Sequence, residues 1–201
     1  GNHIFNSSAS STYKAWNKLF YISYGDGSNA NGTFANDTVT IAGISVQQQS
    51  FAIVATAHNF NGDQADGLMG LGYQNIAAGQ ENPVIWSMYL AGELTQPIFS
   101  FWFGPISTGS DTGELILGGY DTTKYTGAFT YSPVKLKGYW EFAMDSVSLS
   151  FSSATITTIA TSVSAILDTG TTMIVVPTTY ANAINTLVGG AYDTTNNQSA
   201  M

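Results

Sequence analysis

Runs rich in Val, Ile, Thr, Phe and Tyr recur along this chain about every ten residues, with Gly, Asn and Asp standing between them. The clearest are "KLFYISYGDGS", "GTFANDTVTIAGISV", "SFAIVATA", "IFSFWF", "GELILGG" and "YWEFAMDSVSLSF". Side chains of this type suit a pleated, half-buried surface, and the spacing is that of sandwiches and barrels, so the pattern predicts an all-β fold. Two segments read instead as short helices. "PVIWSMYLAGEL" puts Ile85, Met88 and Tyr89 on one face after Pro83, which suits a helix start. "TTYANAINTLVGG" follows Pro177 and runs into Gly189-Gly190, a stop signal.

At 201 residues the chain is long enough for one large β domain or two small ones. A hydrophobic fraction of 44% with only 9% charged residues belongs to a folded protein. The apolar runs are too short to span a membrane as helices, and no basic start precedes an apolar stretch, so no uncleaved signal peptide is expected. Thirteen acidic residues against five basic ones, all Lys, give a net charge of −8. Nucleic acid is therefore not an expected partner, since phosphates require clustered cations. A pI near 4.3 suits work in acid, although any acidic soluble protein has one.

Residue types narrow the chemistry further. The chain has no Cys, and its histidines are His3 and His58 alone, with no G-x-S-x-G elbow. Nucleophilic triads are excluded, and neither histidine has a partner at metal-binding spacing, so no metal or other cofactor is expected. His58, in "ATAHNFNG", reads as a loop residue. Four N-x-[ST] sequons, at Asn6, Asn31, Asn36 and Asn197, are weak support for a secretory route.

Hydrolysis by carboxylates remains. In "SAILDTGTTMIVVP" one Asp, Asp168, stands between two apolar runs that read as buried strands. Gly170 permits backbone geometry closed to other residues, and the Thr169 and Thr171 hydroxyls can hold a carboxylate in one orientation. The same letters also suit a plain Asp-Gly turn between strands. A second Asp-Thr-Gly, starting at Asp111, follows the polar loop "GPISTGS" and reads as turn chemistry only. Upstream, two β-like runs flank Tyr24-Gly25-Asp26-Gly27, where Asp-Gly marks a hairpin able to hinge over a ligand.

"ILDTGTTMIVVP" resembles the second active-site motif of the pepsin-like aspartic proteases. "FYISYGDGSNANGTFANDTVTIAGI" is similar to that family's flap and following strands, and "ADGLMGLGY" to its Asp-Gly-apolar-apolar-Gly-Leu-Gly segment. "GELILGGYDTTKYTG" and "GYWEFAMDSVSL" resemble the passage from first lobe to second, so matches in one order run from about Phe5 to Leu187. The resemblance implies a bilobal fold, incomplete here, with residues 1–122 in the first lobe and 123–201 in the second. The lobe junction is expected within Gly118–Ala128.

Function follows as an expectation. Members of the family cleave peptide bonds with a water activated between two Asp carboxylates, which share a proton because like charges ~3 Å apart cannot both ionise. Asp168 is the catalytic candidate. Tyr24, Gly25 and Asp26 of the flap, with Gly170, Thr171 and Thr172, are the substrate-binding candidates. The first catalytic Asp should precede the flap, yet Gly1–Phe20 contains no Asp. The retroviral arrangement of two identical chains does not explain this, because there the flap follows its own Asp. The chain therefore reads as a middle portion, inactive alone, whose partners are an extended polypeptide substrate and the missing segments before and after it. The complete protein is expected to be a secreted monomer, with a vacuolar or lysosomal site as the alternative. Two other readings stand beside it. One is an inactive peptide-binding homologue that lost its first Asp. The other is a β-sandwich carbohydrate-active protein, for which Glu141 beside Tyr139-Trp140 is the tempting acid among Glu81, Glu93, Glu114 and Glu141.

Overall fold

A computed structural model of the chain describes residues 3–60, 65–105, 113–151, 155–195 and 198–200. Two compact units emerge, Gly1–Phe129 and Thr130–Met201. The structure is mostly β, as the punctuated runs predict.

The first unit is built on a three-stranded antiparallel sheet of β1 (Lys14–Ser23), β2 (Asn29–Ile41) and β3 (Ile44–His58), in that order. "GTFANDTVTIAGISV" folds back on itself at Ala42-Gly43, where Ile41 faces Ile44. Both turn residues are left-handed, with φ of 51° and 82°, the backbone twist that joins two strands through a two-residue loop. His58 closes β3 opposite Asn29 rather than standing in a loop, because the ladder continues further than its letters suggest. Within β3 the register skips Ala55, so that Asn31 faces Thr56 and Gly32 faces Val54. At this bulge the chains approach so closely that a Cβ on Gly32 would stand 1.9 Å from the Ile53 carbonyl oxygen.

Strand β2 buries Ala30, Phe34 and Ala35, and the rings of Trp16 and Phe20 each meet Phe34 edge-on at 5.4 Å. Lys18 lies over the Trp16 and Phe34 rings and donates to the Gly79 carbonyl at 2.7 Å, tying a distant loop to β1. The second part of the core is made by helix α1 (Val84–Leu90), which begins after Pro83 as expected. Its Val84, Ile85 and Met88 pack with Val46 and Leu94, and Tyr89 closes the edge. Strands β4 (Phe99–Phe103) and β5 (Gly113–Leu117) form a separate two-stranded ladder. Lys124 pairs with Glu114 of β5 at 3.0 Å and covers the Trp102 ring of β4 at 4.1 Å, stitching the Gly118–Ala128 stretch to this ladder. Asp111 and Thr112 of the second Asp-Thr-Gly lie outside the described residues.

The second unit has a long hairpin, β6 (Glu141–Phe151) with β7 (Thr155–Ile166). Helix α2 (Thr178–Val188) and the short pair β8 (Ala191–Asp193) and β9 (Gln198–Ala200) follow. Helix α2 starts after Pro177 and ends at Gly189, whose φ of 72° lets its N–H turn back to the Asn185 carbonyl. The expectation that Asp168 sits between buried strands is not met. Strand β7 stops at Ile166, Leu167 is 72% exposed, and Ile174 is 91% exposed outside any strand. The letters are strand-forming, but a strand needs a neighbour for its N–H and C=O groups. The β6–β7 sheet has only two strands among the described residues.

Asp37 is the buried carboxylate among the described residues of the first unit, at 3% exposure. It accepts from the Thr12 hydroxyl and from the Thr38 N–H at 2.7 Å, and so fastens the segment before β1 to β2. The hydroxyls of Thr12 and Ser10, then the Thr38 N–H, hold its carboxyl below the usual range against the opposing effect of burial.

Two outcomes follow from this packing. Gly32→Ala is expected to destabilise by about 3 kcal/mol, the upper range for overpacking, because backbone rather than a flexible side chain blocks the new Cβ; urea unfolding measures it. Because Asp37 has a lower pKa folded than unfolded, its contribution is complete above the unfolded value and disappears as pH falls through the folded one. As pH falls below the ordinary carboxylate value, the melting midpoint of Asp37→Asn is therefore expected to fall less steeply than that of the parent, while at neutral pH the variant melts lower.

Candidate active site

The hairpin joining β1 to β2 carries three of the candidate residues. Tyr24 N–H donates to the Ser28 carbonyl at 2.8 Å, and Gly27 N–H to the Tyr24 carbonyl at 3.1 Å. The loop therefore has three residues, Gly25, Asp26 and Gly27, and the φ of 84° at Gly27 completes it. Asp26 stabilises the turn from its own side chain, accepting from the Ser28 hydroxyl at 2.6 Å and the Ser28 N–H at 2.8 Å. Those two donors, the hydroxyl first, pull the Asp26 carboxyl below its ordinary value. Tyr24 is half-buried, with its ring edge-on to Phe60 at 5.9 Å, and desolvation pushes its phenol up. A neutral phenol on a stiff two-residue anchor can hydrogen-bond a ligand without bringing charge.

Ser28 and Phe60 are the residues that sequence reasoning missed here. Asp-x-Ser is an Asx-turn signal and made Ser28 readable. Nothing local announces Phe60, which meets Tyr24 only because β3 returns beside β2.

Asp168 belongs to the second unit. It follows the last ladder bond beyond β7, from the Leu167 N–H to the Trp140 carbonyl at 3.2 Å. Its carboxylate is fixed by residues two and three ahead. One oxygen accepts from the Gly170 N–H at 3.0 Å and the other from the Thr171 hydroxyl at 2.6 Å. The Thr171 N–H also returns to the Asp168 carbonyl at 3.2 Å. Gly170 fits because a Cβ there would crowd the Asp168 Oδ1 at 3.3 Å. Of the two hydroxyls expected to orient the carboxylate, those of Thr169 and Thr171, Thr171 does so and Thr169 makes no bond to it among the described residues. Thr172 is exposed and points to no such bond among the described residues. Asp168 itself is exposed, with its carboxylate held in one orientation.

Three of the glutamates and one histidine are committed elsewhere. Glu81 accepts from the Gly79 N–H at 2.8 Å, Glu114 pairs with Lys124, and Glu141 pairs with Lys135 at 3.5 Å. Glu141, the tempting acid of the carbohydrate reading, thus has a structural ion pair. His3 meets Asp66 at 3.1 Å on the surface. Among the described residues no cluster of three or more His, Cys, Asp or Glu could hold a metal ion.

Comparison with known proteins addresses the resemblance directly. The family model "Eukaryotic aspartyl protease" matches residues 1–201. Aspartic proteinase oryzasin-1 of Oryza sativa subsp. japonica is 39% identical over 188 residues, which are 92% of this chain and 36% of that protein. Phytepsin of Hordeum vulgare is 38% identical over 190 residues, 93% of this chain and 37% of that one. A probable vacuolar protease A of Arthroderma benhamiae is 36% identical, covering 92% and 46%. The crystal structure of the aspartic proteinase from Irpex lacteus superposes with a TM-score of 0.82 at 25% identity, over 96% of this chain and 57% of that one. This chain therefore spans between 36% and 46% of the length of these sequence relatives. It belongs to the eukaryotic aspartyl proteases, the pepsin-like family.

Proposed function

We propose that this chain is part of a pepsin-like aspartic endopeptidase, with Asp168 as one of two catalytic carboxylates. The observation that carries this reading is the orientation of the Asp168 carboxylate by the Gly170 N–H and the Thr171 hydroxyl. A carboxylate held by donors of its own turn can face a second one without swinging away as they share a proton. The pair then works as a unit. One member takes a proton from a bound water as the water attacks the scissile carbonyl, and the other donates a hydrogen bond to the carbonyl oxygen. The partner carboxylate is proposed to come from outside these 201 residues, so the chain alone is inactive. The Tyr24–Gly27 hairpin acts as the flap over an extended polypeptide, with Tyr24, Gly25 and Asp26 along the substrate and Thr172 beside it. The complete protein is proposed to be a monomer.

A secretory route, ending outside the cell or in a vacuole, goes with this reading. The Arthroderma benhamiae relative is named as a vacuolar protease. No helix among the described residues is long and apolar enough to cross a membrane.

The test is peptide cleavage in acid by the longer protein that carries this chain. Asp168→Asn is expected to lower kcat at least ~1000-fold, within the range for removing an acid–base group. Thr171→Val, which keeps the shape but deletes the donor, is expected to lower kcat roughly tenfold to a hundredfold, the worth of a hydrogen bond to a charged group, with little change in KM. Cleavage by the 201-residue chain alone, lost in Asp168→Asn, would show that no outside carboxylate is needed. Peptide binding without cleavage by the longer protein would favour the inactive homologue instead.

A further inference from the structure

Three of the four sequons fall on described residues, and their surroundings differ sharply. Asn6 is exposed and opens a single 3-10 turn, Ser7–Ala9, just before β1. Its Oδ1 accepts from the Ser8 N–H at 3.1 Å and from the Ser8 hydroxyl at 2.7 Å. Ser8 is the hydroxyl residue of the Asn6-Ser7-Ser8 sequon, so its two acting groups are already in contact. With both donors on Oδ1, the amide turns its NH₂ group outward. This turn is also held from both sides. Phe5 packs edge-on against Phe51 at 5.2 Å, while Ser10 and Thr12 bind Asp37.

Asn36 has the opposite setting. It is half-buried in β2, between its ladder partners Lys14 and Ser50, and its Oδ1 is taken by the Ser50 hydroxyl at 2.5 Å. The middle residue of its sequon is the buried Asp37, and the N–H of its hydroxyl residue, Thr38, is bound to that same Asp37. A bulky, strongly hydrated substituent has no outlet there. Asn31 is exposed, but its Oδ1 is bound across the ladder to the Thr56 hydroxyl at 2.9 Å, not to Thr33, the hydroxyl residue of its own sequon.

We propose that Asn6 is the acceptor of an N-linked glycan and that Asn36 stays bare, because among the described sequons only that of Asn6 sets its own hydroxyl on the amide oxygen of an exposed Asn. This rests on the secretory route proposed above. In the transfer, the Asn6 Nδ2 attacks the anomeric carbon of a lipid-pyrophosphate-linked oligosaccharide. The N–C bond forms and the C–O bond to pyrophosphate breaks. The bonding pair leaves with the lipid pyrophosphate, and one amide proton passes to a base of the transferring enzyme.

The test expresses the longer natural protein behind a cleavable secretory leader in a eukaryotic host. The leader supplies the compartment, so failure at Asn6 is distinct from a wrong assignment of the natural route. Enzymatic glycan release in ¹⁸O water, followed by peptide mass spectrometry, reads each site. The expected result is a labelled Asp at position 6 and unlabelled Asn at position 36. Asn6→Gln and Ser8→Ala each lose one glycan's mass, and Ser8→Thr retains it. An unmodified Asn6 in secreted protein, or a glycan on Asn36, overturns the proposal.

Discussion

The first unit depends on β2 being hydrogen-bonded along both of its edges. A strand so placed leaves few backbone groups to be satisfied elsewhere, and its side chains acquire fixed neighbours on each face. From that one ladder follow the burial of Phe34 and Ala35, the anchoring of Asp37, and the presentation of the Tyr24 hairpin at one end. The bulge opposite Gly32 twists the same ladder where only glycine can sit. The second unit has no such central strand among its described residues. Apart from a single bridge from Val134 to Phe142, its long hairpin is paired along one edge of each strand, and Asp168 follows directly where that pairing runs out. The carboxylate therefore relies on its own turn for orientation, through donors two and three residues ahead.

Local chemistry was legible in the sequence, and distant pairing was not. Pro83, Pro177 and Gly189 set the ends of both helices because their constraints act within one residue's backbone. The Asp168 turn could be read for the same reason, since Gly170 and Thr171 are neighbours in the chain. The exposure of Met173 to Val175 could not. Val and Ile declare a preference for strand geometry but carry no information on whether a partner strand is beside them. Phe60 against Tyr24 and Lys18 over the Phe34 ring were likewise hidden, because each joins residues brought together only by the fold. The Ala42-Gly43 turn lies between these cases: Gly43 advertises it, whereas Ala42 at positive φ is tolerated because both flanking strands enforce it.

The proposed chemistry makes demands on elements of both units. A dyad mechanism asks for two stiff carboxylates and a cover that can open, and the two kinds of element differ here in how they are made rigid. Asp168 is fixed by short bonds within four residues. The hairpin is fixed at its tip by Asp26 and Ser28 and at its base by the Tyr24–Phe60 contact.

The uncovered apolar run beside Asp168 has a colloidal consequence. At neutral pH a net charge of −8 keeps molecules of this chain apart by mutual repulsion. Near the pI of 4.3 that repulsion vanishes, while Leu167, Met173, Ile174 and Val175 still face solvent. Its solubility minimum therefore falls in the acid range where carboxylate chemistry is ordinarily assayed, and turbidity there reports sticky surface rather than loss of fold.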